Sequence, residues 1–145
     1  MKFTTVLLSI YSMATLSLAN GASSLFDAKC SMCHSKTRPT DMKSVIAPAI
    51  SGVMRHVKMS YPSKDKAVEF MVDYVLNPSK DKAICMPQKI DRFGLMPSQK
   101  GNVTKEELES IASWLYDNYP PKGFKGGGMH KGKGQGKGMG KSQGF

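Results

Sequence analysis

Only one further cysteine, Cys85, accompanies the pair Cys30 and Cys33, so the 145-residue chain has no second Cys-x-x-Cys. A structural zinc ion needs four soft ligands, and Cys85 or His56 would have to complete such a set. No strand-helix alternation surrounds the pair, which removes the βαβ context of a thioredoxin-type dithiol. Long apolar runs are also missing. The longest, Val6 to Leu18, is broken by Ser, Thr and Tyr and is short of the ~20 residues a membrane span requires. Acids are scarce, at 11 against 21 bases, and none follows Asp117.

What is present begins with Lys2, the apolar stretch Val6 to Leu18, and small residues at Ser17-Leu18-Ala19. This order predicts a secretory signal over residues 1–19 with cleavage before Asn20. An uncleaved anchor is the alternative reading of the same stretch. Most of the net charge of +10 lies near the other end. Residues 20–121 hold 14 bases and 11 acids, whereas residues 122–145 hold six lysines and ten glycines. The pattern predicts a mildly basic domain over 20–121 and a disordered Gly/Lys-rich tail over 122–145. That tail could dock on acidic proteins or anionic surfaces, bind metal loosely through Met129, His130 and Met139, or do nothing specific.

The chemistry concentrates at Cys30-Ser31-Met32-Cys33-His34. Cys-x-x-Cys-His is the attachment signal for c-type haem. Two thiols at this spacing form thioethers to the two haem vinyl groups, and the histidine reaches the iron as its first axial ligand. A structural Cys30–Cys33 disulfide would leave His34 without a purpose. Export agrees with this reading, because bacterial haem attachment takes place outside the cytoplasm. Cys85 is left over, either a buried inert thiol or a group free to form an intermolecular disulfide.

The helical pattern is clear in places. Residues 22–29 read as a short helix capped by Ser23 or Ser24, with Leu25 and Phe26 facing inward. Pro48 and Gly52 suggest a rigid bend and a close backbone approach, and Val53 to Met59 a short helix. Ser63 to Leu76 has Ala67, Phe70, Met71, Tyr74 and Val75 at helical spacing and ends at Asn77-Pro78. Residues 79–102 read as an irregular loop with two Met-Pro pairs. Thr104 to Asn118 opens on a Thr104/Glu107 capping box with a Val103/Leu108 staple, and carries the stripe Leu108, Ile111, Ala112, Leu115.

A haem held by one histidine can close its other axial position with methionine or a second histidine, or leave it open. The candidates are Met96, Met86, Met59, Met54 and His56. Met96 is best placed, after Gly94, braced by Pro97 and close to the last helix. Met86-Pro87 is the runner-up. Met71 reads as core filling and His56 as a surface residue between Arg55 and Lys58.

These residues resemble the single-haem class I cytochromes c of bacterial periplasms. The matching positions are Cys30, Cys33 and His34 after a helix carrying Phe26, then Pro48-x-x-x-Gly52, then Gly94-Leu95-Met96-Pro97 before a helix with Trp114. The resemblance implies an all-α cytochrome c fold, with N- and C-terminal helices crossing near Phe26 and Trp114 around one covalently attached haem c. It implies Met96 as the distal iron ligand and the Pro48 carbonyl as partner of the other His34 ring nitrogen. The expected function is a non-enzymatic, monomeric, periplasmic electron carrier that meets acidic redox partners. Nucleic acid and stable membrane insertion are not expected. The alternatives are a haem-bearing subunit of a periplasmic oxidoreductase, tethered through Cys85, and a haem sensor or enzyme with a labile distal ligand.

Overall fold

The computed structural model describes residues 21–126, which form five helices with no strand among them. Residues 1–20, which hold the expected leader, and residues 127–145, most of the expected tail, lie outside the described residues. Helix α1 covers 21–29. Helices α2 (Ile50–Ser60), α3 (Lys64–Leu76), α4 (Pro87–Phe93) and α5 (Lys105–Asn118) follow.

The core forms where α1, α2, α3 and α5 meet. Phe26, Ile50, Met54, Val57, Ala67, Ile111 and Leu115 are buried together. Burying a side chain of the larger kinds contributes about 1.5–3 kcal/mol, so this one cluster holds the four helices to each other. Phe26 of α1 and Trp114 of α5 meet with ring centroids 5.8 Å apart, so these two helices touch there. Lys36 lies over both rings, at 5.5 and 5.3 Å, and its ammonium also pairs with Asp27 at 2.6 Å.

Helix α3 is used on two sides. Val72 and its neighbours Val68, Val75 and Leu76 pack with Val103 and Leu108 at the start of α5. Phe70, Met71 and Tyr74 face the other way, with Phe70 stacked between Tyr61 and Tyr74 at 4.6 and 5.7 Å.

Several element boundaries differ from the sequence expectation. Ser23 and Ser24 lie inside α1, not at its start, since the helix already includes Gly21. Ser63 occupies the N-cap position of α3, yet its hydroxyl makes no capping bond. Gly52 lies within α2, which begins at Ile50, and no protein atom comes within 4 Å of where its Cβ would be. The anticipated close approach is therefore not made by this chain. The stretch 79–102 is not wholly irregular, because Pro87 begins α4. Proline suits a first helical position: its φ is already helical and its missing N–H would be unpaired there in any case. The capping box at Thr104 and Glu107 forms in both directions, with N···O distances of 2.9 and 3.1 Å.

Candidate functional site: a cleft between the helices

A cleft with about 1570 Å³ of empty space, part of it open to solvent, runs between the helices. Cys30, Cys33, His34, Pro48 and Met96 all line it. These are the five residues singled out from the motif and the resemblance, and 66 positions of sequence separate the first from the last.

On one side the motif continues from the end of α1. Cys30 N–H donates to the Phe26 carbonyl at 2.8 Å, and His34 N–H donates to the Cys30 carbonyl at 2.9 Å. These local turns fix the spacing of the two sulfurs and the ring. His34 Nδ1 then lies 2.8 Å from the Pro48 carbonyl. A carbonyl only accepts, so Nδ1 carries the hydrogen and the neutral ring keeps its Nε2 lone pair for a metal or another acid. A second bond runs beside the first. Ile50 N–H, the first of α2, donates to the Ser35 carbonyl at 2.9 Å. A helix start leaves its first N–H groups unpaired, and here the residue after His34 supplies a partner.

Cys30 does not have the environment of an activated dithiol. Both cysteines follow the C-terminal end of α1, where the helix dipole disfavours a thiolate. Burial, and then the neighbouring Cys33, push the Cys30 thiol up from its ordinary range. Catalytic dithiols show the opposite shift. Neither cysteine is bonded to another sulfur. Among the described residues no three His, Cys, Asp or Glu side chains converge as a metal site, so Cys85 and His56 do not complete a zinc set with the pair.

On the other side Met96 is delivered by a turn. Gly94 ends α4 with φ 75° and ψ 178°, a conformation open essentially to glycine alone. The chain thereby leaves the helix axis, and Leu95 and Met96 come to the cleft wall. Met86 does not. It precedes Pro87 at the opposite end of α4, is 38% exposed, and is not among the lining residues. A seven-residue helix is roughly 10 Å long, which separates the two Met-Pro pairs by more than a rotamer change can span. His56 and Met59 also lie away from the cleft, whereas Met54 and Met71 line it.

The walls are apolar. Val53, Met54 and Val57 come from α2, Phe70, Met71 and Tyr74 from α3, and Ile111, Ala112 and Leu115 from α5. Ile90 and Phe93 of α4 complete them. These last two fall in the stretch expected to be loop, and their i, i+3 spacing is the signal that marks them. Cys85 also stands in this wall, half-buried. Burial raises its thiol, with Lys89 opposing, and burial followed by the charge of Cys85 raises the Tyr74 hydroxyl.

The lining could hold a flat apolar group carrying a metal, since it offers two thiols, an imidazole and a thioether among hydrocarbon side chains. Among the described residues no helix is long and apolar enough to cross a membrane.

No family model matches the chain, and no solved structure matches it. An uncharacterized protein of Aquifex aeolicus (strain VF5) is 33% identical over 108 residues, covering 66% of this chain and 71% of its own length. The chain therefore belongs to the same family as this uncharacterized Aquifex aeolicus protein.

Proposed function

We propose that this protein is an exported electron carrier whose cleft takes one covalently attached haem c. The observation that supports it most is the convergence of Cys30, Cys33, His34 and Met96 on one apolar cleft, with His34 Nδ1 engaged by Pro48. In this reading Cys30 and Cys33 would hold the group covalently through their sulfurs, and His34 Nε2 and Met96 Sδ would ligate its metal. The haem iron would supply reversible one-electron chemistry, and thioether ligation would favour the ferrous state and raise the potential. The Pro48 carbonyl holds the His34 ring in one orientation and tautomer and makes it a stronger ligand. The apolar side chains of α2, α3 and α5 would exclude water from the buried part of the group. With both axial positions claimed by the chain's own residues, no substrate would reach the metal, which is a carrier's arrangement and not a catalyst's.

Cys33 is exposed beside Met32, which is 91% exposed, so electrons would pass at this edge through a small, transient interface. Surface lysines would steer acidic partners toward it. The signal at 1–19 would place the protein in the periplasm. Mass spectrometry of the mature protein, with absorption spectra of both oxidation states, tests the proposal. Added haem mass and the red-region ferric band of thioether ligation are expected, and absence of the haem mass refutes it.

A further inference from the structure

Met96 sits on a segment with little packing of its own, so what holds that segment decides how firmly its sulfur is presented. The answer is the C-terminal end of α3. A helix leaves its last carbonyls without partners, and Pro78, just beyond the cap residue Asn77, has no N–H to offer them. The Met96 segment supplies donors instead. Ser98 Oγ donates to the Leu76 carbonyl at 2.6 Å, and Gln99 N–H donates to the Val75 carbonyl at 3.1 Å. The Ser98 hydroxyl also accepts from Lys100 N–H at 3.3 Å.

Only Pro97 stands between Met96 and this pair of bonds, and its φ is locked by its ring. Movement at residue 98 is therefore passed on to residue 96 with little loss. Farther along, Lys29 Nζ donates to the Asn102 carbonyl at 2.8 Å, which ties the other end of the segment to the residue before Cys30. The same helix α3 contributes Phe70, Met71 and Tyr74 to the cleft wall.

Building on the haem reading above, we propose that the end of α3 is a clamp for Met96 and that Ser98 is its positioning residue. Ser98 touches neither the cleft nor a ligand; it acts by keeping the thioether seated. Ser98 is exposed, so Ser98→Ala opens no void in the core. It removes the bond to Leu76 and raises the fraction of molecules in which Met96 has swung away.

Imidazole, titrated into the haem-loaded ferric protein, reads that fraction, since its apparent affinity rises in proportion to the released population. One hydrogen bond of this kind predicts roughly three- to tenfold tighter imidazole binding in Ser98→Ala, with Ser98→Thr close to the parent. Tyr116→Phe serves as control. It removes another single bond, from the Tyr116 hydroxyl to the Pro62 carbonyl, on a different part of the molecule, and should leave imidazole affinity unchanged. Unchanged affinity in Ser98→Ala overturns the clamp, and so does an equal gain in Tyr116→Phe, which would mean general loosening. A parent protein that lacks haem mass or the red ferric band overturns the haem reading, and the role of Ser98 with it. Failure of the clamp alone is seen only in protein that has both.

Discussion

The two sides of the cleft are held by different means. On the His34 side, the motif grows out of α1 by local helical turns, and two bonds join residues 34–35 to residues 48–50. Buried Phe26, 1% exposed, stands directly behind it. On the Met96 side, the segment after Gly94 carries few buried side chains and relies on carbonyls left over at the end of α3. A buried side chain anchors the first side, and hydrogen bonds at the surface anchor the second. On the proposed function, this division would let the second side tune the metal without disturbing the attachment on the first.

The largest effects should separate the two sides outright. On the proposed function, His34→Ala yields little stable haem-bearing product. Met96→Ala retains the haem mass, loses the red ferric band and gains carbon monoxide binding in the reduced state. Met86→Ala should leave the band intact; its loss there would assign the ligand to the wrong end of α4.

Next comes stability. Phe26→Ala should cost about 3–5 kcal/mol in urea unfolding, the usual range for emptying a well-packed aromatic site. Thr104→Ala, which removes the cap of α5 just past the Met96 segment, should cost only ~1 kcal/mol. Equal costs for the two variants would erase the contrast between a core-anchored side and a surface-anchored one.

The smallest effect concerns Cys85, in the wall beside Tyr74 and Lys89. Burial raises its thiol, and the thiolate is the reactive form. At a given pH the folded protein therefore holds less thiolate than the unfolded chain. Iodoacetamide should alkylate Cys85 more slowly in the folded protein, with the rate rising only at higher pH. Equal rates in both states would mean that the sulfur is free in solution and available as a tether.

How much of this could be read beforehand depended on the range of the interactions involved. The Cys30-x-x-Cys33-His34 spacing, the Thr104/Glu107 capping box, the stripe on α5 and the stop at Asn77-Pro78 are local patterns. They depend on residues within a turn or two of each other, so composition and period expose them directly. The all-helical class is an implication of the resemblance, and the described helices agree with it. α4 is hidden in the sequence because Met86-Pro87 also marks a loop, whereas proline equally well begins a helix.

The arrangement around the cleft was a different matter. That Met96 lines it and Met86 does not rests on a glycine turn at one end of a short helix. The Ser35–Ile50 and Ser98–Leu76 bonds join segments 15 and 22 residues apart, and the place of Cys85 depends on α3 and α4 lying on either side of it. No periodicity records such pairings, because they arise when packed helices bring unsatisfied backbone groups from distant segments within hydrogen-bonding distance.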